Sequence, residues 1–161
     1  MVDMNWCIKQ KDGIKLIEPN NNLAEGYIKM AEDALGTMNR EKNFSLRFSV
    51  SACYYSMYYS LYAVLMKIGI KCEIHSCTLK FMETFLLEFY SKEDLSVIKK
   101  AFDCRNTIQY YVERVVEKTD SDLIISEAPF FHSKSKEILW KLNEAHIKEI
   151  REKIKEYFIK K

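Results

Sequence analysis

A chain of 161 residues with 48% hydrophobic content is long enough to build one domain around a real core. Only 4 glycines and 2 prolines exclude an all-β fold, which needs a turn signal every ~10 residues. A net charge of +2 gives no general electrostatic grip on nucleic acid. The opening MVDMNWCIKQKDG lacks the apolar run of a secretory leader. The 5 cysteines (Cys7, Cys53, Cys72, Cys77 and Cys104) are odd in number, and several lie in or beside apolar helical stripes. Reduced thiols in a cytoplasmic protein are therefore expected. Cys72 and Cys77 lack the spacing of a zinc knuckle and no second pair follows, so neither a metal nor another cofactor is expected.

In chain order, residues 1–21 read as an N-terminal arm packed on a bundle formed by residues 22–161. The arm is expected to be extended, or a short hairpin across KQKDG, pinned by Trp6, Ile14 and Leu16. Asn21 or Asn22 can cap a first helix, with Glu25 completing a capping-box-like pair. Leu23, Tyr27, Met30, Ala34 and Met38 give that helix its buried face, and residues 39–43 turn the chain.

The second helix, from 44 to about 67, is the element the rest should pack around. It holds no Pro or Gly before Gly69. Phe48, Ala52, Tyr55, Tyr59, Tyr62 and Met66 form one stripe at helical spacing. Val50, Tyr54, Met57, Leu61, Val64 and Ile68 form a second apolar stripe. Ser49, Cys53, Ser56, Ser60 and Ala63 make a side of small residues that lets a neighbouring backbone come close. The serines and tyrosine hydroxyls argue against a membrane span. Gly69 is a plausible C-terminal cap.

A third helix is expected from about 76 to 90, with Leu79, Met82, Leu86 and Phe89 on one face. Ser91 with Asp94 starts a fourth, running to about 118, where Thr119-Asp120-Ser121-Asp122 breaks it. Residues 123–131 carry Pro129 and have no clear reading. The last helix, about 132 to 158, turns Leu139, Leu142, His146, Ile150, Ile154 and Tyr157 inward. The fold class is all-α: an antiparallel up-and-down bundle of four long helices plus one shorter.

The fourth helix holds an anomaly. Beside the apolar stripe Val97, Ala101, Cys104, Ile108, Tyr111, Val115 runs another: Leu95, Ile98, Phe102, Arg105, Gln109, Val112, Val116. A guanidinium and an amide interrupt an otherwise apolar seam. A buried unpaired charge is costly, so Arg105 must meet a carboxylate, a ligand or a subunit interface, or reach water along its own stem. Asn106 and Tyr110, four apart, share a face beside it.

The pattern Arg105-Asn106-x-x-x-Tyr110, the tyrosine-rich YYSMYYSLYAVLMKIGIK and the following His75-Ser76 resemble the HEPN superfamily. More narrowly, they resemble the small stand-alone HEPN proteins of the UPF0332 group, from about residue 22 to 158. The resemblance implies an up-and-down helical bundle, usually a homodimer, with the motif near a cleft at the dimer interface. It also implies a small nucleotidyltransferase as partner, in a toxin–antitoxin-like pair. Other members are metal-independent ribonucleases whose motif ends in His.

Here the positions after Arg105 run to Tyr110, Tyr111 and Val112, with no His. Tyr, with a pKa near 10, is a poor proton acceptor at neutral pH, though it can donate to a phosphate or stack on a base. Arg105, Asn106, Gln109 and Tyr110 are therefore the nucleotide- or RNA-phosphate-binding candidates, and Arg105, Asn106 and Tyr110 the only catalytic ones. His75, at the start of the third helix, is read as a cap or structural bond, and His146 as a core histidine. Three functions stay open: a binding module paired with a nucleotidyltransferase, an endoribonuclease toxin using Arg105 and Tyr110, and a dimeric scaffold in which Arg105 and Gln109 fix the interface.

Overall fold

Ser45 and Gly69 bracket the helix around which the rest is assembled. The Ser45 hydroxyl accepts from the Phe48 N–H at one end, and Gly69 closes the other in the left-handed region at φ 84°. A computed structural model describes residues 2–159, so the first residue of the expected arm and the last two of the expected bundle lie outside the described residues. The elements in order are α1 (Met4–Lys9), β1 (Lys15–Leu16), α2 (Asn21–Glu41), α3 (Leu46–Ile68), β2 (Ile70–Lys71), α4 (His75–Phe85), α5 (Lys92–Tyr110), α6 (Lys118–Lys141) and α7 (Glu144–Ile159). The chain is mainly helical, as its sequence predicts.

The central helix α3 packs chiefly against α2, α6 and α5. Its small side is fully enclosed: Ser49, Cys53, Ser56, Ser60 and Ala63 are all 0% exposed. Small side chains let the neighbouring helices approach closely, so the burial follows from the sequence. Phe48 departs from its stripe. It lies at the first turn of α3 and is 64% exposed.

The arm differs from the expectation. It opens with a short helix capped by Asp3, whose carboxylate accepts from the Trp6 N–H. Its strand β1 makes no hairpin of its own; it pairs antiparallel with β2, which follows α3, in the register Lys15↔Lys71 and Leu16↔Ile70. Ile14 is fully buried, Leu16 half-buried and Trp6 largely exposed, so Ile14 is the stronger pin. The expectation of five free thiols is also corrected: Cys7 and Cys77 form a disulfide joining α1 to α4, while Cys53, Cys72 and Cys104 are free and buried.

Five boundaries move. Asn20 caps α2 through its side chain, one residue before the expected cap. Helix α4 ends at Phe85, short of 90. Helix α5 ends at Tyr110, well before 118, and the β-branched stretch Val112, Val115, Val116 that follows disfavours helix. The acidic cluster expected to break the chain lies in the first turns of α6, where Asp120 suits the positive end of the dipole. That helix runs on through Pro129, with Ala128, Phe131, His132 and Ser135 buried, and stops at Lys141. The single expected final helix is thus two, separated at Leu142 and Asn143. Arg151 on α7 ties the ends together: one of its Nη atoms donates to the carbonyls of Ile17, Ile68 and Gly69 at 2.8, 3.0 and 3.1 Å. No helix among the described residues is long and apolar enough to cross a membrane.

Candidate functional site

The Ser91–Asp94 capping box starts α5, and Leu95, Ile98, Ala101, Cys104 and Ile108 bury one side of it. Arg105, next to Cys104 in sequence, is therefore carried on the flank of the seam, half-buried against α3. Its Nη2 donates to the Tyr55 hydroxyl at 2.6 Å and its Nη1 to the Asn106 side-chain carbonyl at 2.9 Å. Its Nε is buried and bonds to nothing. Both partners are neutral, and no carboxylate among the described residues lies within ion-pair distance of the guanidinium. The charge rests instead on aromatic faces: Cζ is 5.7, 5.4 and 5.9 Å from the ring centroids of Tyr54, Tyr55 and Tyr110.

Behind the arginine lies a tyrosine cluster built by the helical spacing of α3. Tyr54, Tyr55, Tyr58 and Tyr59 lie with neighbouring ring centroids 5.5 to 6.0 Å apart. Burial pushes the phenols of Tyr54 and Tyr58 well above their ordinary range and that of Tyr62 up to about 12. These three hydroxyls stay neutral at physiological pH.

His75 joins the same cluster from the first residue of α4. Its Nδ1 shares a hydrogen bond with the Tyr54 hydroxyl at 2.6 Å, and its ring stacks on Tyr58 with centroids 4.1 Å apart and planes 4° from parallel. Burial first, and then the Arg105 charge, lowers the imidazole pKa below its ordinary value. The helix cap at Ile74 takes no side-chain bond, so His75 serves the cluster rather than the helix end. The sequence carries the signal only as a histidine following a tyrosine-rich helix; nothing in its spacing says which tyrosine it meets.

The other candidates fall on one side of Arg105. Asn106 is half-buried and bonded to it; Tyr110 is 69% exposed at the end of α5. Gln109 is exposed and lines a cavity of about 800 Å³ between α2, α3 and α5, together with Met30, Phe48, Tyr55 and Tyr59. Tyr55 is common to the cavity and to the arginine. The remaining histidines lie elsewhere. His132 is buried, with Nδ1 2.9 Å from the Ser60 hydroxyl. His146 is half-buried, packs edge-on against Phe89 and helps cap α7 with Asn143, so the core position expected for it is only partly realised.

What the arrangement can do is hold an anion. A guanidinium that spends two of its five N–H groups on neutral oxygens and lies against three aromatic faces is partly desolvated without being neutralised.

No family model matches the chain. Over 121 residues it is 30% identical to a protein of Methanocaldococcus jannaschii named "Putative toxin MJ0142". That match covers 71% of this chain and 80% of the relative. The chain belongs to the family of that archaeal toxin-named protein.

Proposed function

We propose that this protein is a HEPN-type module that binds nucleotide or RNA phosphate through Arg105, and that it acts as the toxin-side member of a pair with a small nucleotidyltransferase. The observation that carries the reading is that Arg105 meets only neutral oxygens among the described residues. Arg105 is half-buried, bonded only to the neutral oxygens of Tyr55 and Asn106, and its Nε is left without an acceptor. A phosphate oxygen would take up the hydrogens left on Nη1 and Nη2 with charge-assisted bonds. Tyr110, exposed beside the guanidinium, and Gln109, on the rim of the cavity, would contact the sugar or base. A structural arginine would more ordinarily be paired with a carboxylate, since the charge is otherwise uncompensated.

The name of the M. jannaschii relative supports the toxin side of the pairing. A homodimer belongs to the same reading. Phe44, Phe48, Val112 and Val115 are 88%, 64%, 90% and 85% exposed, and Leu46 and Val115 line a common cavity near the start of α3. A second copy covering Phe48 would close over the cavity lined by Tyr55 and Gln109.

The test is titration of the purified protein with mononucleotides and short RNA, following tyrosine fluorescence or heat. Saturable binding that Arg105→Ala weakens, with the fold unchanged by circular dichroism, is expected. Binding indifferent to Arg105→Ala would end the proposal.

A further inference from the structure

Arg105 and His75 lie on the same aromatic platform, and neither has an acidic partner among the described residues. The Tyr54 ring is 5.7 Å from the Arg105 Cζ and 5.7 Å from the His75 ring, and its hydroxyl bonds His75 Nδ1. The groups facing His75 are Tyr54, Tyr55 and Tyr58 from α3, and Phe102 and Arg105 from α5. None is a carboxylate. The imidazole is half-buried and its Nε2 makes no hydrogen bond among the described residues.

We propose that His75 is a second phosphate contact of this site, and that Arg105 and a protonated His75 together select a terminal phosphate monoester, as at the end of a nucleotide or an RNA strand, over an internal phosphodiester. This rests on the reading of Arg105 as the phosphate-binding residue. The reason is charge matching. An internal diester carries one negative charge, which Arg105 alone balances. A terminal phosphate carries between one and two at neutral pH, with a second pKa of about 6, and needs a further cation.

Without ligand, burial and the Arg105 charge keep the imidazole neutral. A bound dianion cancels the Arg105 charge and supplies an acceptor for Nε2–H, so the imidazole takes up a proton. The Tyr54 contact accommodates the change. In the neutral state the phenol donates to Nδ1; after protonation Nδ1–H donates and the same hydroxyl oxygen accepts. The proton comes from solvent and no covalent bond is made or broken. Tyr54 is in this scheme a positioning residue.

The experiment compares a short oligoribonucleotide with and without a 5′-phosphate, and inorganic phosphate alone, by titration calorimetry at pH 7 in buffers of different ionisation heat. The phosphorylated strand is expected to bind about tenfold more tightly, a gap of about 1.4 kcal/mol, with uptake of a fraction of a proton up to one. In His75→Gln, which retains a hydrogen-bonding side chain, both the preference for the phosphorylated strand and the proton uptake should vanish. Tyr54→Phe should shift the pH profile of binding without abolishing it. Equal affinity for the two strands, or unchanged proton uptake in folded His75→Gln, overturns this inference and leaves the Arg105 reading standing. Binding of both strands that ignores Arg105→Ala overturns both.

Discussion

Single residues at the site can be separated by what each contact is worth. Arg105→Ala removes a charge-assisted contact, so nucleotide or RNA affinity should fall about ten- to a hundredfold, roughly 1.5–3 kcal/mol. Tyr110→Phe keeps the ring near the guanidinium and removes one hydroxyl, so it should cost less, about 0.5–1.5 kcal/mol in binding. Binding isotherms check both, and equal losses for the two would mean that Arg105 makes no ionic contact. A different residue governs acid stability. His132 is buried against Ser60, and burial, with Lys136 opposing and Glu32 favouring the charged form, lowers its pKa below the ordinary imidazole value. The unfolded chain then binds the proton more readily than the folded one. Its stabilising contribution is complete above the unfolded pKa of about 6.5 and is lost as pH falls through the folded value. His75 has the same sign. The denaturation midpoint should therefore drop between pH 7.5 and 5.5, and drop less in His132→Gln. Parallel pH curves for the two proteins would refute the assignment.

At the scale of elements, α3 is decided by its small side. Ser49 and Ser56 are fully buried and their hydroxyls find no partner, whereas the Ser60 hydroxyl is 2.9 Å from His132 Nδ1. What these positions require is therefore small volume, and at Ser60 also a hydrogen-bonding group. Ser56→Leu should destabilise by roughly 1–3 kcal/mol through overpacking. Ser56→Ala should be neutral or stabilising by up to about 1 kcal/mol, since an unsatisfied buried hydroxyl is a cost. Urea melts of the two variants check this; a Leu variant as stable as wild type would mean that the seam has slack. The same helix shows where local reading works. Its period, its Gly69 cap and its small stripe were all legible, because each depends on residues within a few turns. The Ser91–Asp94 capping box that starts α5 was legible for the same reason. The fate of residues 111–141 was not. A proline and an acidic cluster are local stop signals, yet the buried face Ala128, Phe131, His132, Ser135 and Ile138 carries α6 across Pro129. Tertiary burial outweighs the roughly 3 kcal/mol that proline costs a helix.

Two long-range features act on the whole molecule. The Cys7–Cys77 disulfide closes a loop across a sequence separation of 70, and so ties the arm to α4. Its reduction should lower unfolding stability by about 2–4 kcal/mol, chiefly by freeing the unfolded chain. Guanidinium melts with and without dithiothreitol measure this, with Cys7→Ser as the control that should no longer respond; no shift in the wild type would show that α1 adds nothing to the cooperative unit. The second feature is a set of exposed apolar side chains, Phe44, Phe48, Val112 and Val115, each more than half exposed. A homodimer is expected, and light scattering on the eluting peak tests it: a 19.1 kDa species at micromolar concentration would contradict it.

By itself the sequence determined the helical class, the central place of α3 and the oddity of Arg105, because period, caps and an interrupted apolar stripe are written within a few turns of chain. It could not say what Arg105 meets. The Tyr55 contact spans 50 positions, the Tyr54–His75 contact 21 and the disulfide 70. Those pairings depend on how whole helices are laid against one another, and the energy that lays them there comes from non-directional apolar burial, which leaves no signature of partner identity in the local sequence.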